Sequence, residues 1–395
     1  MRTIVRRNTI HFCCWEGSAV HCISLGWNKG LCAARGVVRV RSGLRTAGDP
    51  AGRTGAVSRP GPRIRVLHAL PAPDGTTQYV DHMIGAASSE IQVLTFSWPR
   101  ALFGGYDVFH VHWPELLVRQ RTRVGRLVGR LLAAALLLRL DLDETPVVRT
   151  AHDLASHQPA DRAEQRLVNA LDRRTSLWIR LNPTTTLPQD ARSVTIPHGH
   201  YRSVFPPDPA TTPEPGRLVQ CGLIRPHKGI DQLLEVFGAV DDPSMRLTIV
   251  GAPRDADLAG RIMRFAASDE RVTALLELVP DEVLAREVRR AELVVLHYTA
   301  MHNSGAVLLA LSLDRPVLVP RNAVTDALAR EVGEGWVIMF DGVLKRGDLL
   351  RALVAARLTR GRGTRPHLDE RDWDLVGLRH AEVYRKVAPG AGRRR

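Results

Sequence analysis

The segment Gly222-Leu223-Ile224-Arg225-Pro226-His227-Lys228-Gly229-Ile230 decides the fold. Upstream lies a short apolar run, 217–221, that reads as a buried strand. Downstream, 229–240 has the spacing of an amphipathic helix. A glycine turn between strand and helix brings backbone N–H groups and the positive end of the helix dipole to one point. Arg225 and Lys228 add two cations there. The combination suits a diphosphate. Neither G-x4-G-K-[ST] nor G-x-G-x-x-G is present, so the fingerprints of the P-loop and of dinucleotide sites are both missing.

Working outward, strands and helices alternate. After the segment, strands are expected at 246–251, 272–278, 293–298, 316–320 and 336–340, with helices at 257–268, 281–290, 304–313 and 322–332. Before it, strands are expected at 64–70, 91–98, 107–113, 146–150, 176–182 and 193–197, with helices at 77–88, 116–142 and 164–172. Such alternation indicates parallel α/β architecture. Five prolines between 206 and 216 read as a linker. The expected organisation is two Rossmann-like domains, 63–205 and 217–385, facing a central cleft, followed by a basic tail, 386–395. Ligands in such sheets bind beyond the carboxyl ends of the strands.

The chain has 395 residues, a hydrophobic share of 44% and a formal charge of +14. The charge sits mostly outside the α/β pattern. Residues 1–62 carry ten basic and two acidic side chains, a net +8, and Arg393, Arg394 and Arg395 add three more. Only +3 remains for 63–392, so no nucleic-acid partner is expected. Residues 1–62 read as a disordered or artefactual extension. Four of the five cysteines (13, 14, 22 and 32) fall there, which leaves Cys221 alone in the body, so no disulfide framework is expected. No run of 18 apolar residues exists, so no spanning helix is expected. The expected location is cytoplasmic, or peripheral on the inner face of the cell membrane.

The segment at 222–230 resembles the G-x-[IV]-R-x-x-K-G signature of GT-B glycosyltransferases of the large family 4. Other pieces agree in order: Ile196-Pro197-His198-Gly199, Leu247-Thr248-Ile249-Val250-Gly251, and Asn303-Ser304-Gly305 through Asp314-Arg315-Pro316-Val317. The resemblance covers about 63–385. It departs where family 4 begins and ends its last block with glutamates; His302 and Ala310 stand there instead. Together with His110-Val111-His112-Trp113-Pro114-Glu115 and Thr150-Ala151-His152-Asp153, the chain is similar to bacterial exopolysaccharide transferases, including GDP-mannose:glycolipid β-1,4-mannosyltransferases.

The resemblance implies transfer of a hexose, mannose or a related sugar, from a GDP- or UDP-linked donor to a glycolipid or oligosaccharide acceptor. It implies no metal, since Arg225, Lys228, Gly222, Ser304 and Gly305 would hold the donor diphosphate. Asp141-Leu142-Asp143 falls at a helix end and is not read as a metal motif. Gly75 and Thr76 open the first helix and are expected to face the cleft. Candidate bases are His110, His112, Glu115, His152 and Asp153, each at the carboxyl end of a strand of the first half. The pair His152 and Asp153 is preferred, then Glu115. His198 and His200 are expected to shape the hinge. A Leu-rich helix with Arg119, Arg121, Arg123, Arg126, Arg130 and Arg139 suits an anionic membrane surface. The alternatives are a GT-B nucleotide-sugar epimerase and a non-catalytic nucleotide-sugar binder.

Overall fold

The computed structural model describes residues 9–16, 19–26, 63–72, 78–120, 122–152, 161–299 and 301–388. It divides into two compact units, split after Arg63. In the first, β1 (Thr9–Glu16) pairs antiparallel with β2 (Ala19–Gly26). The remainder of 1–62 lies outside the described residues, together with the disorder expected of it.

The second unit holds two six-stranded parallel sheets. The first half runs β3 (Ile64–His68), α1 (Gln78–Gly85), β4 (Ile91–Thr95), α2 (Trp98–Phe103), β5 (Val108–Val111), α3 (Arg123–Leu142), β6 (Val147–Ala151), α4 (Arg162–Arg174), β7 (Thr175–Arg180) and β8 (Ser193–Thr195). Its strand order is β4-β3-β5-β6-β7-β8. The second half runs β9 (Arg217–Cys221), α5 (Ile230–Gly238), β10 (Arg246–Val250), α6 (Ala256–Ser268), β11 (Val272–Leu275), α7 (Asp281–Arg290), β12 (Leu293–Val295), α8 (Gly305–Ser312), β13 (Val317–Pro320), α9 (Ala323–Val332), β14 (Val337–Phe340), α10 (Arg346–Gly361) and α11 (Trp373–Val387). Its order is β11-β10-β9-β12-β13-β14. In the first sheet β3 lies between β4 and β5, and in the second β9 lies between β10 and β12, so in each the winding reverses at its first strand. That reversal opens a crevice at the carboxyl ends. The expected α/β class and the alternation are as read from the sequence.

Both faces of each sheet are covered, which is why the central strands are almost continuously apolar. In β5, all four residues are buried, and the interior Leu67, Phe109, Leu218 and Ile249 have no exposure. The long helix expected at 116–142 is divided. A 3-10 turn covers Pro114–Leu117, and α3 starts later because Thr122 caps it, accepting from the Gly125 amide at 3.0 Å.

The last helix crosses between the halves. In α11, Trp373, Val376, Val383 and Tyr384 pack with Val66, Tyr79, Val108, Val148 and Ile179 of the first half. The boundary placed at 385 therefore divides the sequence but not the packing. An amphipathic helix read locally does not reveal which sheet it will cover. The stretch before β9 is also tethered: the Gly216 amide donates to Glu292 at 2.8 Å, and the Glu214 amide to the Arg290 carbonyl at 2.9 Å.

Candidate active site

Three loops of the second half meet at its crevice. The loop after β9 leaves the sheet at Gly222, whose φ of +99° few side chains tolerate. It bridges to the loop after β10 between Ile224 and Pro253, and the Arg254 amide donates to the Ile224 carbonyl. A 3-10 turn, Pro226–Lys228, comes next, where a simple helix start was expected. Gly229 then ends that turn and caps α5 at φ +66°. A Cβ there would lie 2.4 Å from the His297 carbonyl oxygen, so only glycine fits.

The loop after β12 closes on the same place. Thr299 donates its amide to the His227 carbonyl at 3.0 Å. The Lys228 ammonium stands 3.3 Å above the centre of the Tyr298 ring, a cation–π contact that fixes its direction. Ser304 caps α8 through the Val307 amide. A Cβ on Gly222 would be 3.9 Å from that of Ala306, and one on Gly305 would be 3.1 Å from the Tyr201 hydroxyl. Thus Gly222, Lys228, Ser304 and Gly305, distant in sequence, border one crevice, and Arg225 sits at the start of the turn between them. Two helix starts and the Lys228 ammonium border the switch point, an arrangement that could receive an anion. Tyr298 was not foreseen, because nothing in its local sequence shows that it underlies Lys228.

Across the cleft, Asn182 donates to the Asn303 side-chain oxygen at 2.8 Å, and Asn303 donates to the His152 carbonyl. His302, where the resembled family carries its first glutamate, lies 3.1 Å from the Thr185 hydroxyl. Ala310, in place of the second, is fully buried in α8. His198 and His200 do lie at the crossover. The Arg371 guanidinium and the Trp373 indole donate to their carbonyls at 3.1 and 2.8 Å.

The first half presents histidines. His152 follows β6, stacked on Trp113 at 4.2 Å between ring centres and edge-on to Tyr79 at 5.1 Å. Behind it His68, His110 and His112 are buried at the ends of β3 and β5. Burial keeps them neutral. It lowers His68 and His152 to about 3 and His198 and His380 to about 4, with His110 and His112 also well below the usual range. Such a His152 is a weak proton acceptor near pH 7, which counts against its expected role as base. Glu115, in the 3-10 turn, lies near the Arg149 guanidinium and favours its charged form. Gly75, Thr76 and Asp153 lie outside the described residues.

Among the described residues, one group of three could offer ligand atoms to a metal: His68, His110 and His112, with those atoms within 4.8 Å of one another. All six of their ring nitrogens already have protein partners, so the donor set is taken up by hydrogen bonds. Asp141 of the D-x-D sequence is paired with Arg174, and Asp143 with Arg139, at the far end of α3.

No family model matches the chain. The chain is 43% identical over 324 residues to the GDP-mannose:glycolipid 4-beta-D-mannosyltransferase of Xanthomonas campestris pv. campestris, covering 82% of the chain and 92% of that protein. Among solved structures it resembles HepE of Anabaena, determined with UDP, with a TM-score of 0.58, 14% identity, and coverage of 81% of this chain and 99% of that one. Sucrose-phosphate synthase from Thermosynechococcus elongatus gives a TM-score of 0.57 at 15% identity, covering 82% and 98%. At these identities the structures establish the fold alone, which is GT-B. The chain is a glycosyltransferase, and it belongs to the family of the GDP-mannose:glycolipid 4-β-D-mannosyltransferases.

Proposed function

We propose that the chain moves a mannosyl group from GDP-mannose, or a closely related hexosyl group from its nucleotide-sugar, to a lipid-linked saccharide. The observation that carries this reading is the crevice of the second half. The turn that starts at Arg225, Lys228 held over Tyr298, and Gly222 beside the start of α8 at Ser304 and Gly305 support it as the donor-diphosphate site, in a chain 43% identical to a transferase of that name. Lys228, Arg225 and the amides of the two helix starts would hold the donor diphosphate and stabilise the charge that develops on the leaving nucleotide. The site needs no metal for that task.

With His302 and Ala310 in place of the two glutamates, no carboxylate is supplied by α8 or the loop before it. An inverting displacement then needs a residue of the first half to take the proton of the acceptor hydroxyl. Asp153, beside His152 in sequence, is our first choice and Glu115 the second. His152 itself is retained in the site as a hydrogen-bonding group.

The acceptor's lipid would lie near α3. The outward face of that helix is apolar: Leu127, Leu131, Leu138 and Leu142 are 59%, 63%, 59% and 75% exposed, Arg123 stands at the same end as Leu127, and Phe103 of the neighbouring α2 is 85% exposed. This face fits peripheral contact with an anionic bilayer. No helix of the described residues is long and apolar enough to cross a membrane.

The test is transfer of radiolabelled mannose from GDP-mannose to a lipid-linked oligosaccharide extract, with UDP-glucose as the comparison donor. Acceptor-dependent transfer with Asp153→Asn nearly inactive is the expected result. Sugar interconversion without acceptor would make it an epimerase instead, and GDP-mannose binding with no turnover would make it a binder.

A further inference from the structure

Six groups form one continuous hydrogen-bonded line. The Thr150 hydroxyl is 2.8 Å from His110 Nε2, and His110 Nδ1 is 2.7 Å from the Tyr384 hydroxyl. That hydroxyl is 3.3 Å from His68 Nε2, and His68 Nδ1 is 3.3 Å from His112 Nε2. His112 Nδ1 is 3.1 Å from His152 Nε2. Three strands and the last helix contribute, and all members but His152 are at least nine-tenths buried. The other titratable groups packed around the line are His380 on α11, Tyr79 on α1, His198 before the hinge, and Arg149 on β6.

A neutral imidazole has one N–H and one lone pair, and a hydroxyl has one proton to give. Each ring therefore fixes the next; acceptance by Tyr384 from both His110 and His68 would leave its own buried hydroxyl proton unpaired, so two arrangements remain. Either every group donates toward His152, or every group donates away from it. The far end chooses. Thr150 is fully buried, and its hydroxyl has no other partner among the described residues. Donating away from His152 would leave that hydroxyl proton unpaired in the core, which costs more than an unused lone pair. Thr150 therefore donates to His110, His110 to Tyr384, Tyr384 to His68, His68 to His112, and His112 to His152. The line delivers a proton to His152 Nε2, so the remaining nitrogen, Nδ1, carries a proton of its own.

We propose that Thr150 and Tyr384 are positioning residues: through His110, His68 and His112 they hold His152 as the tautomer with an N–H at Nδ1, which donates a hydrogen bond to a substrate oxygen rather than removing a proton. The substrate part of this statement rests on the reading of the cleft as a transferase site; the tautomer part does not. The oxygen belongs to the donor sugar or to the acceptor, and the substrate whose KM rises identifies which.

The experiment has a spectroscopic and a kinetic arm, both on the full chain. Ring nitrogen shifts of protein labelled with ¹⁵N-histidine, with His152 assigned by comparison with His152→Gln, should show Nδ1–H in the wild type from pH 6 to 8. Thr150→Val exchanges the hydroxyl for a methyl and leaves His110 Nε2 with no partner in either arrangement, so His152 should become a mixture of tautomers; Tyr384→Phe does the same at His68 Nε2. Thr150→Ser should restore the wild-type pattern. Kinetically, Thr150→Val and Tyr384→Phe should each raise one KM by roughly three- to tenfold, the range for one neutral hydrogen bond, with Thr150→Ser near normal. An Nε2–H His152 in the wild type, or no tautomer change in Thr150→Val, would overturn the relay. So would a stoichiometric zinc ion retained after dialysis, since the rings would then be ligands. The expected tautomers with unaltered kinetics in every variant would leave the relay standing and overturn the substrate contact, which separates failure of the two readings.

Discussion

Lys228 shows how a single residue gains its role from position. The chain has only four lysines among 55 basic residues. This one follows β9, within a 3-10 turn that leads into α5, and its ammonium is held over Tyr298. A flexible side chain so held loses little entropy when it meets a phosphate. Lys228→Ala should lower kcat/KM for transfer by about two to three orders of magnitude, the usual cost of removing one group that stabilises transition-state charge. The thermal midpoint should move little, because the contact to the Tyr298 ring is worth about 1 kcal/mol. Activity within tenfold of wild type would remove Lys228 from the diphosphate site. The residues at this site were readable in the sequence because glycine turns and helix starts are local signals. His68, Thr150 and Tyr384 were not, since the Tyr384 hydroxyl and His68 meet across 316 positions of chain.

Among the elements, α3 departs most from the pattern of a surface helix. Gly129, Ala133, Leu136, Leu137 and Leu140 are buried against the sheet and α4, yet Val124, Leu127, Val128, Leu131, Leu138 and Leu142 are exposed on the other side. Sequence periodicity gives the helix and its arginines but starts it at 116, whereas the Thr122 cap starts α3 at Arg123. Arg130 is paired with Asp161, Arg139 with Asp143, and Arg119 with Glu164, so the side chains that would meet a bilayer are chiefly leucine and valine. The double substitution Leu127→Glu and Leu131→Glu should therefore abolish co-sedimentation with vesicles containing anionic lipid. Both side chains face outward, so the fold should change by no more than about 0.5 kcal/mol each. Binding that survives this variant and disappears in moderate salt would point to the arginines instead. The same kind of local reading ends its elements at 340, so it gave neither α11 nor its return to the first half. That information lies in tertiary complementarity, in Trp373 and Tyr384 meeting Val66 and Tyr79.

At the scale of the whole molecule, that return of α11 builds a core in which histidine replaces aliphatic side chains. His68, His110, His112 and His380 are each at least nine-tenths buried, with His152 and His198 at the edge. Burial lowers His68 and His152 to about 3, and His198 and His380 to about 4, from the ordinary 6.5. In the unfolded chain these rings take up protons near pH 6.5, whereas the folded chain refuses them until far lower pH. Between those values the unfolded state binds more protons, so stability rises with pH there. It is fully present above about pH 6.5 and is lost as pH falls toward 4, before most carboxylates are protonated. Each ring that stays neutral contributes up to about 1.4 kcal/mol per pH unit, but hydrogen-bonded rings titrate as a set and their contributions do not simply add. The expected outcome is a urea midpoint that is flat from pH 8 to 7 and drops steeply from pH 6.5 to 5, by at least about 1.4 kcal/mol in unfolding free energy. His380→Phe should make the slope shallower. That ring is in contact with the line without being a link in it, and one of its nitrogens has no partner among the described residues, so its loss leaves the path to His152 in place. A midpoint that does not change between pH 7 and 5 would mean the rings are solvated and charged in the folded protein, and the core between the last helix and the first sheet would have to be more open than its packing indicates.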